Sequence, residues 1–278
     1  MWSGLLERLR QRREAAAIAR KPIPDVLWRR TLKRFPFLPG AGTADEALLR
    51  RMTSLFLDRK EFSGAHGLLV TDDMAVAIAA QACLPVLRMD LDAYKGFVGI
   101  VVHPGLARAR RSFADEDGVV HEFEETLAGE ALEGGPVMLS WRDVRSAGAK
   151  AVQGYNVVIH EFVHVLDMAD GVADGLPLLP PDISRQEWCA TLDASYQAFC
   201  HAVDSDEPTA LDPYGAESPS EFFAVASEAF FVAPQALQAE HPAVYGLLMR
   251  YFRQDPLARA EPPAVPAPAS PRSEAPLA

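Results

Sequence analysis

Cysteine is scarce in this chain. Cys83, Cys189 and Cys200 are the three among 278 residues, and no two of them form a C-x-x-C pair. An odd, scattered set argues against a disulfide framework and fits a reducing compartment. Long apolar runs are also missing. No stretch of about eighteen apolar residues exists to cross a bilayer, and Met1-Trp2-Ser3-Gly4 leads into no uninterrupted apolar segment of the kind a secretory signal needs. The expected location is therefore the cytoplasm, with no membrane insertion. Positive charge is in deficit, since the formal net charge is −11. That argues against a general nucleic-acid binder. The imbalance is local: residues 1–34 hold ten Lys or Arg against three acids, which leaves about −18 for the rest. No internal repeat is present.

What the chain does have is a 49% apolar content, enough for one large domain or two small ones. Residues 1–20 read as a basic helix lying on the domain, broken by Lys21-Pro22-Ile23-Pro24. Thr43 opens a helix running to about Asp58. Thr71-Asp72-Asp73 caps another, Met74 to Cys83, stopped by Pro85. Short strands are expected within Phe62 to Val70, at Phe97 to Val102, at Val119 to Thr126 and at Pro136 to Ser140. Turns link these strands more often than helices do, which predicts a small antiparallel or mixed sheet. Helices are then expected from Trp141, over about 156–169, from Ser184 to about Val203, from Ser218-Pro219 to Phe231, and from His241-Pro242 to about Gln254. Seven of the last twenty-three residues are proline, which predicts a disordered tail over 257–278. The expected division is a helical region over 1–60, a catalytic domain over 61–256, and the tail. The expected class is α+β.

The stretch that carries chemistry is His160-Glu161-Phe162-Val163-His164. Four residues of α-helix turn through about 400°, so both imidazoles return to one face about one turn apart. That spacing lets two ring nitrogens reach one zinc ion at ~2.0–2.1 Å. Glu161 stands beside them, where a carboxylate can take a proton from an activated water. Asn156 is a suitable N-cap. Two histidines and a glutamate on an apolar helix are expensive to bury without a partner. His121-Glu122-Phe123 begins in the same way, but Glu125 stands where the second histidine would be, so it reads as strand.

Asp167 follows His164 by three residues and shares the histidine face. It is a candidate acceptor for a ligand imidazole N–H. A third metal ligand is needed, and the downstream acids are Glu217, Glu221 and Glu228. Glu217 precedes Ser218-Pro219 and so falls outside the helix. Glu221 and Glu228 are seven residues apart and share a face, so periodicity cannot separate them. Ser218-Pro219-Ser220-Glu221 also reads as a capping box with proline at the first helical position, which would explain Glu221 without any metal.

Taken together, His160-Glu161-Phe162-Val163-His164-Val165-Leu166-Asp167, Tyr214 and Glu221-Phe222-Phe223-Ala224 resemble the Mlc titration factor A family of bacterial zinc metallopeptidases. Thr71-Asp72-Asp73-Met74 and Ile78 to Pro85 also resemble that family, and the likeness runs from about residue 20 to 256. The active-site half is similar to the catalytic domain of anthrax lethal factor, a gluzincin. The resemblance implies a zincin-like fold with the motif helix under a small sheet. It selects Glu221 as the third ligand of one Zn2+ and assigns Tyr214 as the hydroxyl that stabilises the oxyanion. It implies aminopeptidase-like activity on short peptides. It also implies a partner, the glucose-responsive repressor Mlc, and with it a role in sugar uptake. The alternative is a repressor-binding titration protein whose zinc site is mainly structural.

Overall fold

The computed structural model describes residues 2–114, 120–131 and 134–260. The elements in order are α1 (Trp2–Arg20), α2 (Asp25–Arg34), α3 (Ala44–Arg59), β1 (Glu61–Gly64), α4 (Asp72–Cys83), β2 (Gly99–His103), β3 (Ala107–Ala114), β4 (Val120–Leu127), β5 (Gly129–Ala131) and β6 (Val137–Ser140). Then come α5 (Trp141–Lys150), α6 (Val157–Asp167), α7 (Arg185–Asp204), α8 (Pro219–Val232), α9 (Pro234–Glu240), α10 (Pro242–Phe252) and α11 (Pro256–Ala260). The fold is α+β and mostly helical.

The sheet is mixed, in the order β1-β2-β6-β5. β1 pairs with β2 and β2 with β6 in parallel, whereas β5 runs antiparallel to β6. Parallel neighbours need a long crossover, and α4 supplies the one between β1 and β2. β3 and β4 form a separate antiparallel hairpin, with Ala107 opposite Leu127 and Ala114 opposite Val120. The expected strand at 119–126 is thus one arm of this hairpin. Its partner β3 carries Arg108, Arg110 and Arg111, and so lacks the apolar alternation that marks a half-buried strand.

Caps fix the helix starts. Thr43, Thr71, Ser140, Asn156, Ser184 and Ser218 each accept a backbone N–H from the first turn that follows. Pro234 follows α8. It also opens α9 from the first helical turn, where its missing N–H would go unpaired anyway. α1 lies along α3 and is tied to it by two short Arg20–Asp58 hydrogen bonds of 2.9 and 2.7 Å. Leu257 in α11 packs against the core. Residues 261–278 lie outside the described residues.

One cluster of buried side chains runs from Ala17 to Phe252. α4 is buried on every side from Val76 to Cys83, as a helix of apolar residues all round must be. α6 sits between α4, α8 and the β5–β6 edge of the sheet. Phe162 anchors its inner face against Phe56, Tyr94 and Phe97, with ring centroids 5.0–5.6 Å apart. These edge-on and tilted ring contacts hold the helix by the face opposite its histidines.

Candidate metal centre

The start of α6 is fixed before any ligand is considered. The Asn156 side chain accepts the Ile159 N–H at 3.0 Å, a cap interaction that stabilises a helix by about 1 kcal/mol. Its amide donates to Gln81 Oε1 at 3.0 Å, which ties α6 to the buried helix α4. The motif helix is therefore set in height and rotation by a polar clamp inside the core.

His160 and His164 then face the same way. Their Nε2 atoms are 3.1 Å apart. Glu221 Oε2, from the first turn of α8, lies 3.1 Å from His160 Nε2 and 3.3 Å from His164 Nε2. Three donors bonded tetrahedrally to one ion at ~2.0–2.1 Å would stand about 3.3 Å from each other. The observed triangle matches that spacing. Two imidazole nitrogens and a carboxylate oxygen are also the donor set that suits zinc. The residues present fit a metal, and among the described residues this is the one such group.

The two candidate glutamates meet His160 on opposite sides. Glu228 Oε1 accepts from His160 Nδ1 at 2.7 Å, and Glu228 Oε2 accepts the Asn156 backbone N–H. A proton held on Nδ1 leaves the Nε2 lone pair pointing at the triangle. The Ser218 cap and the inward Glu221 side chain coexist. The Glu221 N–H donates to Ser218 Oγ at 3.1 Å, while the Glu221 carboxylate turns to the histidines. Only half of a capping box forms, and the carboxylate is left for the site.

His164 is held differently. Its Nδ1 lies 3.2 Å from Ser220 Oγ, and that hydroxyl donates to Asp167 Oδ2 at 2.6 Å. Asp167 is fully buried and also accepts the Gly175 N–H at 2.9 Å. It therefore reaches the imidazole through Ser220 rather than directly. Gly175 has φ +80°, and a Cβ there would meet Pro219 O at 2.7 Å, so the loop after α6 closes this tightly only with glycine.

Glu161 is 4% exposed and lies against β5. A Cβ added to Gly129 would sit 2.4 Å from Glu161 Oε1, so the glycine makes room for the carboxylate. Burial raises the Glu161 carboxyl. The charges of His160 and His164 pull it back, and Glu221 and Glu228 push it up again, to about 7. Burial likewise disfavours a charged His160, but Glu228 and Glu221 outweigh it and hold that imidazole well above its ordinary range. Burial works against a charged Glu221, and the two histidines overcome it to bring the carboxyl down to about 2.

Tyr214 lies in a 3₁₀ turn over Pro213–Ala216, capped by Asp212 Oδ1 on the Tyr214 N–H at 3.0 Å. It is 38% exposed, and its ring centroid is 6.1 Å from that of His160. Of the candidates read from the sequence, His160, Glu161, His164, Asp167, Tyr214, Glu221 and Glu228 come together here. Ser220, Gly129, Tyr155 and Asp212 join them, and no motif marked these four. Larger clefts of about 550 and 720 Å³ lie elsewhere and include none of the three donors.

A model of the family described as glucose-regulated metallo-peptidase M90 matches residues 7–253. The chain belongs to this family. It is 34% identical over 239 residues to an uncharacterized protein of Synechocystis, covering 85% of this chain and 86% of the relative. It is 34% identical over 228 residues to Mlc titration factor A of Pectobacterium atrosepticum, covering 81% and 84%. It is 32% identical over 247 residues to Mlc titration factor A of Yersinia pestis, covering 87% and 90%. Membership of this metallopeptidase family accords with a His-His-Glu centre beside a buried carboxylate. Among the described residues, no helix is long and apolar enough to cross a membrane.

Proposed function

We propose that the chain is a zinc-dependent peptidase of zincin-like, gluzincin type. The observation that carries the reading is the triangle of His160 Nε2, His164 Nε2 and Glu221 Oε2, with edges of 3.1–3.3 Å, next to buried Glu161. These three residues would hold Zn2+. When bound, zinc brings the pKa of a water down to about 7 and polarises the scissile carbonyl. Glu161 takes the proton as the water attacks and delivers it to the leaving nitrogen. The Tyr214 phenol donates to the oxygen that gains charge. Among the described residues, β5 is an edge strand of the sheet, beside Glu161.

Metal analysis of the purified protein with a panel of short peptides, including N-terminally free ones, tests this beside Glu161→Gln. The variant should keep one zinc and lose activity by on the order of 10²–10⁴. Cleavage by the variant at the wild-type rate would refute the peptidase reading. Tyr214→Phe should lower turnover with the zinc content unchanged.

A second role follows from the relatives called Mlc titration factor A. On that reading the chain works in the cytoplasm and binds an Mlc-type repressor, which links it to sugar uptake. Repressor binding without cleavage of any peptide would favour a titration protein with a mainly structural zinc site.

A further inference from the structure

A cavity of about 210 Å³ opens beside Glu161. Val157, Val225, Ala128 and Tyr155 give it apolar walls. Its charged lining is Asp212, Glu161 and Glu228, with His160 as the basic group and neither Lys nor Arg among the described residues. Two of those carboxylates are committed. Glu228 accepts from His160 and from the Asn156 N–H, and Glu161 is packed against Gly129. Asp212 differs, because it is exposed and uses Oδ1 on the Tyr214 N–H. Its Oδ2 has no hydrogen-bond partner among the described residues.

The volume is below the ~300–1,000 Å³ of pockets that take drug-sized ligands. It suits one side chain rather than a run of peptide. An aliphatic stem fits the walls, and a cationic tip can reach a carboxylate while its stem stays dry. An acidic side chain would bring a further negative charge beside three carboxylates.

We propose that this cavity is the specificity subsite for one residue flanking the scissile bond, that it takes lysine-like and aliphatic side chains, and that Asp212 rejects acidic ones. The proposal rests on the peptidase reading. Asp212→Asn is the informative variant, because an asparagine oxygen can still accept the Tyr214 N–H and keep the turn in place. Val225→Trp is the second, since it fills the cavity from α8 without touching a donor atom.

The test uses the full zinc-loaded chain and a peptide pool in which the two residues flanking the bond vary among Lys, Leu, Ala and Glu. Products are read by mass spectrometry. At one of the two positions Lys should be cut about tenfold faster than Glu, the scale of one attraction replaced by one repulsion, and Leu severalfold faster than Glu, the scale of the repulsion alone. Asp212→Asn should shrink the Lys-to-Glu ratio severalfold. Val225→Trp should slow Lys and Leu more than Ala. Dissociation constants for the hydroxamates of lysine, leucine and glutamate give the same ordering without turnover. Equal cleavage and equal hydroxamate binding for Lys and Glu would overturn the subsite, as would a ratio unmoved by Asp212→Asn. No cleavage of any peptide, with the hydroxamate order intact, would sink the peptidase reading and with it the cavity's place beside a scissile bond, while an order lost with cleavage intact would sink the subsite alone.

Discussion

The two histidines of α6 present the same atom to the same point but are braced in different ways. His160 leans on Glu228, a carboxylate 2.7 Å away that is itself pinned by the Asn156 N–H. His164 leans on the Ser220 hydroxyl at 3.2 Å, and the charge behind it, Asp167, is one hydrogen bond further off. A direct anion makes an imidazole a stronger donor and fixes its tautomer firmly, whereas a hydroxyl relay does so more weakly. The difference also separates their neighbours. Glu228 ties the site to α4 through Asn156 and Gln81. Asp167 ties it to the loop at Gly175, whose carbonyl also takes the Trp188 indole N–H at 2.8 Å. One brace reaches the buried helix α4 and the other a buried turn of the loop after α6.

The largest expected effect removes what both histidines share. Glu221→Ala should bind no zinc at stoichiometric supply, as measured by metal analysis after desalting. Retention of one full equivalent would mean that the triangle is not the site.

Next comes the stronger brace. Glu228→Ala leaves the His160 Nδ1–H and the Asn156 N–H without their buried acceptor. The variant should still fill with zinc at saturation. Its affinity should drop about 10–100-fold, and its stability should fall by about 1–3 kcal/mol. Chelator competition and thermal melting read the two quantities separately.

Ser220→Ala should weaken zinc by about tenfold or less, the lower end of such effects. If Ser220→Ala proves more damaging than Glu228→Ala, the ranking of the two braces is reversed.

The pH dependence sharpens the same contrast. In the metal-free chain, Glu228 and Glu221 overcome the effect of burial and hold the His160 pKa above its ordinary value. Below that raised value a proton occupies the imidazole and must leave before a metal binds. Apparent zinc affinity should therefore rise with pH and fall by up to about tenfold per unit below it. Glu228→Gln removes the charge behind the shift, so the onset of the loss should move to lower pH. An unchanged profile in that variant would show that Glu228 does not set the proton competition.

The smallest effect is expected from Asp167→Asn, which keeps an oxygen where Asp167 Oδ2 accepts both the Ser220 hydroxyl and the Gly175 N–H. It should shift zinc affinity less than Ser220→Ala does, with a stability change of about 1 kcal/mol.

The sequence by itself determined the chemistry that depends on local spacing. His160, Glu161 and His164 were legible because four helical residues make one turn. The caps Thr43, Thr71, Asn156, Ser184 and Ser218 were legible because a hydroxyl or amide before an apolar helical stretch has a local partner. The α+β class and most helix limits followed from the same local periodicities. Tertiary structure alone decided which carboxylate meets which nitrogen. Glu221 and Glu228 lie on one helical face, and only the crossing of α8 over α6 sends the first to Nε2 and the second to Nδ1 of the same ring. Ser220, Gly129 and Asp212 carried no readable signal, because a serine in a cap, a glycine in a strand and an aspartate before a turn each have an adequate local reason. Their further roles come from what packs against them across the fold, and a contact between residues distant in the chain leaves no period in a single sequence.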